Sequence, residues 1–292
     1  MRIELAGSLI RPEPLVIKFI ANQNFDVQQY IDLGYTHFDV ICIGAGGGRG
    51  GGVDTANSGT LVVNYGGAGG GGGFHRVRGL LSALPSLCPV VVGVAGTAGV
   101  DRVSNPASTT DGGDGGYSSF NNPTCRASGG KGGKRAQSNS LTVSTAANGG
   151  DGGIGNRTTA GGGGTGGLAG TPAASGSGTT GFPGADGTFL YDPLSQYVGK
   201  GGGGGAGGVG KYGETPATAH NYATASGRGS WNPGDISVYG SADSPTNDPA
   251  TSAPQIVPGK AGGAKAAPLN GLPYLFGRSS DPGTVILRLT AE

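Results

Sequence analysis

A chain of 292 residues with 66 glycines and 18 prolines has a composition otherwise typical of low-complexity sequence, yet only 13% of its residues are charged and its net charge is +1. The self-repulsion that holds many disordered chains open is absent, and so is any global attraction for nucleic acid or an anionic membrane. Collagen is excluded too, because glycine fills two positions in three and runs unbroken from Gly201 to Gly205.

In chain order, the N-terminus lacks the charged, apolar and cleavage regions of a signal peptide, and no stretch approaches the roughly 18 apolar residues of a membrane span. Assembly in the cytoplasm, without membrane insertion, is the expectation. Leu15 to Ala21 (LVIKFIA) and Thr36 to Ile43 (THFDVICI) are predicted strands, the second alternating Phe38, Val40 and Cys42 imperfectly against His37, Asp39, Ile41 and Ile43. Between them, Asn22 to Gly34 carries turn chemistry and a short helical piece over Val27 to Leu33. Leu61 to Tyr65 leads into Gly66 to Gly73. Phe74 to Leu84 leads out, with Phe74, Arg76 and Arg78 on one strand face and His75 and Val77 on the other. Cys88 to Ala95 (CPVVVGVA) reads as a strand whose start Pro89 confines to an edge or first position. Apolar β segments then vanish until Thr284 to Thr290 (TVILRLT), which can return to pair with strands near the start and close one unit.

Glycine triplets repeat through this chain. Their non-glycine positions are Tyr65, Ala68 and Phe74 (with Gly71 between); Asp111, Asp114 and Tyr117; Ser128, Lys131 and Lys134; Asn148, Asp151 and Ile154; Thr165, Leu168 and Thr171; and Ala206, Val209 and Tyr212. A period of three is neither the roughly 3.6 residues of an α-helix nor the alternation of a strand; it is the period of a polyproline II type helix. Such a helix makes no internal hydrogen bonds, so its N–H and C=O groups must be satisfied by neighbours. Two bare positions in three let those neighbours approach. The expected fold is therefore mostly β: a β-sandwich combined with a bundle of polyglycine II helices, long irregular loops and little or no α-helix. Residues 1–100 with 284–292 hold the sandwich strands and first glycine helices, and 101–283 the rest of the bundle. Gly69, Gly113, Gly130, Gly150, Gly163 and Gly203 are its predicted scaffold glycines. Its long inserts, 171–200 and 211–275, carry the aromatics Tyr191, Tyr197, Tyr222, Trp231 and Tyr239, which suit either receptor and partner contact or local clusters that pin the loops.

Site motifs are weak. Val40 to Gly52 (VICIGAGGGRGGG) runs a strand into G-A-G, but Arg49 stands at the sixth fingerprint position and no helix follows to hold a pyrophosphate. The GGDGG pairs around Asp114 and Asp151 lack the nine-residue period of calcium-binding β-helices. His37, His75 and His220 are scattered, without a nucleophile elbow or zinc-protease pattern. Cys42, Cys88 and Cys125 lie far apart, and the first two read as small buried hydrophobes. No cofactor, metal or enzymatic activity is expected. A flavin or nicotinamide enzyme built on Val40 to Gly52 stands only as a third reading.

The progression G-A-G-G-G (Gly44 to Gly48), G-G-A-G-G-G-G-G-F (Gly66 to Phe74), V-V-V-G-V-A-G (Val90 to Gly96) and G-G-D-G-G-Y-S-S-F (Gly112 to Phe120) resembles the glycine-rich domain of phage tail adhesins. Tyr35 to Gly52 is similar to minor tail proteins of siphophages infecting actinobacteria. The resemblance covers about Leu15 to Gly167 and the final strand; the inserts after Gly170 depart from it. It implies a non-enzymatic virion protein at the distal tail, a rigid scaffold displaying loops for host cell-surface recognition. The implied partners are other tail-tip proteins, further copies in a homotrimer, and a host-envelope glycan or protein. A purely architectural tail-tip subunit is the alternative.

Overall fold

A computed structural model describes residues 11–57, 60–64, 66–67, 69–100, 102–103, 109–135, 189–192, 196–199, 209–211 and 280–292. Its strands are β1 (Leu15–Phe19), β2 (Gln23–Asp26), β3 (His37–Ile43), β4 (Val53–Asn57), β5 (Thr60–Asn64), β6 (Phe74–Leu80) and β7 (Leu87–Val91). They continue with β8 (Arg102–Val103), β9 (Ser118–Phe120), β10 (Cys125–Ala127), β11 (Phe189–Asp192), β12 (Gln196–Gly199), β13 (Val209–Lys211) and β14 (Thr284–Thr290). One short helix, α1 (Val27–Asp32), falls where the sequence predicts it: the Asp26 carboxylate accepts from the Gln29 N–H at 3.2 Å, and Gly34 leaves it with φ of 90°. The protein is mostly β, with little α-helix.

Six strands form a sheet in the order β1-β14-β3-β6-β12-β11, and four form a second in the order β10-β9-β7-β2. Every pairing in both is antiparallel. As the sequence predicts, the last strand closes the unit: β14 lies between β1 and β3, with Val285 opposite both Phe19 and Cys42. The inner faces pack as a sandwich. Phe38, Val40, Cys42, Val77, Val285, Leu287 and Leu289 come from one sheet, and Phe25, Cys88, Val90, Phe120 and Cys125 from the other. The Phe120 ring lies 5.7 Å from that of Phe25 and 6.2 Å from that of Phe38. A third sheet, β13-β5-β4-β8, includes one parallel pair, β4 with β8.

Several boundaries differ from expectation. β1 ends at Phe19 rather than Ala21, and β6 gives way at Leu81 to a single 3₁₀ turn. β7 stops at Val91, because at Gly93 the chain leaves the sheet and enters the bundle. β2 lies inside the turn-rich stretch, where its single apolar residue, Phe25, leaves no alternation to read. The insert 171–200 contains a hairpin, β11 and β12, that extends the larger sheet from β6.

Beside the sandwich, the glycine runs hydrogen-bond to one another. The run 44–52 is central. Its residues 44, 47 and 50 donate N–H to the carbonyls of Gly73, Gly70 and Gly67, while 45, 48 and 51 donate to those of Gly116, Gly113 and Thr110. Its carbonyls at Ala45 and Gly48 accept from Gly130 and Gly133, and those at Gly46 and Arg49 accept from Gly96 and Gly99. Gly46 donates in a further direction, to Asp281. Partners thus change with every residue and return every third. The outer runs also bind each other in steps of three: Gly67, Gly70 and Gly73 donate to Lys134, Lys131 and Ser128, and Gly112 and Gly115 donate to Gly133 and Gly130.

Close approach explains the glycines. A Cβ on Gly48 would stand 1.8 Å from the Thr97 carbonyl oxygen, and one on Gly130 1.9 Å from that of Gly70. Sandwich and bundle interleave along the chain. Strand β3 runs straight into the central glycine run, β6 emerges from 66–73, and β9 and β10 lie between the runs 109–116 and 128–135.

Candidate functional site

The strand-to-glycine motif at 40–52 sits at the centre of the bundle. A phosphate cradle needs inward-pointing N–H groups with no other partner. Here the N–H groups of residues 44–48, 50 and 51 bond to neighbouring backbone, and the Arg49 side chain is buried, one of its Nη atoms donating to the Gly50 carbonyl at 3.2 Å. The aspartates of the run 109–116 are likewise engaged. Asp114 accepts from Lys131 Nζ at 2.7 Å and the Gly132 N–H at 2.9 Å; Asp111 accepts from Lys134 Nζ at 2.9 Å and the Arg135 N–H at 2.8 Å. Burial raises each carboxyl's pKa, but these hydrogen bonds and the neighbouring lysine charges outweigh it and hold both below the ordinary carboxylate range. The three-residue phase of the two runs therefore places two acids opposite two lysines.

Two of the sequence histidines lie in strands. His75 is buried, and its Nδ1 accepts from the Arg126 N–H at 3.1 Å, which leaves the ring proton on Nε2 when the ring is neutral. Cys42, Cys88 and Cys125 are free thiols within the core, and burial pushes the Cys88 pKa up to about 11.

The most chemically distinctive surface is the outer face of the six-stranded sheet. Alternation along β1, β14, β3 and β6 places Lys18, Arg288, Arg76 and Arg78 on that face around a single strand-borne carboxylate, Asp39. The register carries the row onward: Arg76 faces Tyr197 of β12, and Tyr197 faces Tyr191 of β11. Two predicted contact residues are thus neighbours in one sheet. Tyr222, Trp231 and Tyr239 lie outside the described residues, as do the scaffold positions Gly150, Gly163 and Gly203. Gly69, Gly113 and Gly130 lie in the bundle, where a Cβ on Gly69 would stand 2.1 Å from the Gly47 carbonyl oxygen. Sequence reasoning missed the cationic face. The signal was one charged residue at alternate positions of strands far apart in the chain, which gathers only once β14 is placed between β1 and β3.

A β-sandwich joined to a laterally hydrogen-bonded glycine bundle defines a glycine-rich structural module. A family model described as a glycine-rich domain matches residues 23–290, and the chain belongs to that family. Among curated proteins none matches the chain. Among the described residues no helix is long and apolar enough to cross a membrane.

Proposed function

We propose that the protein is a non-enzymatic virion protein of a phage tail tip, in which the glycine bundle is a rigid scaffold for surfaces that contact the host cell. The observation that carries this reading is the alternation of strands with glycine runs between residues 40 and 120, which resembles tail adhesins in sequence. The bundle that alternation builds supports the scaffold role, and the engagement of the amides of residues 44–48, 50 and 51 supports a role without nucleotide chemistry. In this reading the protein sits at the distal tail after assembly in the host cytoplasm. Its partners are other tail-tip proteins, further copies of itself in a threefold assembly that suits a tail axis, and a glycan or protein of the host envelope. Nucleic acid has no part in it.

A second reading, a purely architectural tail-tip subunit, is favoured by one specific observation: Tyr191 and Tyr197 stand in paired strands of the main sheet rather than on a free loop. One experiment separates the two. Virions in which residues 212–275 are exchanged for a neutral linker, and virions carrying Tyr191→Ala with Tyr197→Ala, are measured for adsorption to host cells. Reduced adsorption with normal particle assembly is the expected result. Normal adsorption by both overturns host contact and leaves the architectural role, and absence of the protein from purified virions overturns both readings.

A further inference from the structure

On the outer face of the six-stranded sheet, where β3 begins and β14 ends, a concave site of 280 Å³ is lined by His37, Asp39, Arg78, Arg288, Thr290 and Glu292 among others. From its polar groups we infer that it binds a singly charged oxyanion carried on a hydroxylated compound, namely the carboxylate of a sugar acid or the phosphodiester of a polyol. The site is read from the sheet alone and stands apart from the tail-tip reading.

The argument begins with Asp39. Its Oδ1 accepts from Arg76 Nε at 2.7 Å, and its Oδ2 accepts from an Arg76 Nη and from Arg78 Nε at 3.0 Å. Arg76 is therefore bidentate on this carboxylate, and Arg78 touches it through one nitrogen only. The two terminal nitrogens of Arg78 make no hydrogen bond among the described residues. Arg288 lies across the register from Asp39 on the opposite side of β3, is exposed, and has all five guanidinium donors without a partner among the described residues. Two arginine forks thus flank β3 about 10 Å apart, two strand spacings. Arginine side chains are long enough to converge on one ion from that distance.

Charge fixes the class of ion. Arg78 and Arg288 line the site with Asp39 and Glu292; Arg76, outside the lining, offsets Asp39 through its bidentate pair, which leaves two guanidiniums against the Glu292 side chain. A singly charged ion suits two guanidiniums beside one carboxylate better than a dianion, which the Glu292 carboxylate repels more strongly. Guanidinium forks match the two oxygens of a carboxylate or a phosphodiester. Beside Phe38 and Gly79, two further wall groups can recognise hydroxyls. They are the Thr290 hydroxyl and the Nε2 of His37, whose Nδ1 is engaged by the Thr36 hydroxyl at 2.8 Å.

The test titrates the full ¹⁵N-labelled protein with glucuronate and, separately, with glycerophosphoglycerol; glucose and glycerol serve as uncharged counterparts. Saturable shifts at the backbone amides of His37, Arg78 and Arg288 and at the two arginine Nε–H groups are expected with at least one anion and with neither neutral compound. Whichever anion binds more tightly identifies the source. Arg288→Gln should weaken binding at least about tenfold, the loss of one charge-assisted fork, and Arg288→Lys should fall between. Lys131→Ala, on the remote Asp114 pair, should change nothing. Shifts absent with both anions, spread over all surface cations, or unchanged in Arg288→Gln overturn the proposal. Should Arg288→Gln fail to fold, the wild-type shift map and the lysine variant decide by the same criteria.

Discussion

The sandwich and the glycine bundle satisfy their buried backbones by opposite means. In the sandwich, antiparallel strands pair edge to edge and side chains fill the space between two sheets, with Phe120, Val40, Leu287 and Leu289 fully buried. In the bundle, backbone fills the space itself: each residue of the central run faces a neighbouring chain, and hydrogen bonds of about 2.9 Å link runs that carry almost no side chains. Hydrophobic burial does most of the stabilising in the first, lateral hydrogen bonding and close backbone contact in the second. The difference shows in what each region tolerates. A sandwich residue made smaller leaves a cavity that neighbours partly relax into. A bundle glycine made larger meets carbonyl oxygens, and two chains must separate.

The largest effect is therefore expected at the centre of the bundle. Gly48→Val places a Cβ within 2 Å of the Thr97 carbonyl and should lower the melting temperature more than any single core truncation, or prevent folding. A change within about 0.5 kcal/mol, the size of an ordinary surface substitution, would erase the distinction between the regions. Next comes Phe120→Ala, which removes the ring between Phe25 and Phe38 and should cost about 3–5 kcal/mol in denaturant unfolding. Reaction of Cys42, Cys88 and Cys125 with a thiol reagent should then be confined to unfolded molecules, since all three are fully buried. Labelling at the rate of a free thiol in native buffer would mean that the sandwich opens far more often than this packing allows.

The smallest effect belongs to the ladder of Asp111 and Asp114 with Lys134 and Lys131, because its side chains are largely exposed: Asp111→Asn with Asp114→Asn should cost no more than about 1 kcal/mol at neutral pH. Both carboxyls are held below their ordinary pKa. Their contribution is thus complete above about pH 4 and is lost as pH falls through the folded-state values. Wild type and double variant should converge in melting temperature on acidification; a constant gap would place the effect elsewhere.

What the sequence discloses divides along the same line. β3 and β14 were legible because alternation and branched residues state their own structure. The lateral bonding of the runs 66–73, 109–116 and 128–135 also had a sequence signal, because a run with close neighbours on several sides needs glycine at most positions. The run 93–100 had no such signal, since it has glycine only at 93, 96 and 99. The structure supplies the reason: these three are buried, whereas Val94, Thr97, Ala98 and Val100 are exposed, so this run meets neighbours closely on one side only. The central run 44–52 looks like a cofactor loop in sequence because Ala45 and Arg49 break its triplets. The hairpin β11–β12 was hidden in a segment whose surroundings carry no alternation. The cationic face of the larger sheet is a product of topology, and no local pattern announces it.

Hydrogen exchange at the glycine amides tests the central claim most directly. If the runs are structural elements bonded laterally, the N–H groups of Gly44, Ala45, Gly47, Gly48, Gly50 and Gly51 should exchange as slowly as those of Val40 and Leu287, through global unfolding. Exchange of those six amides at the rate of an open loop, while Val40 and Leu287 remain protected, would contradict the bundle.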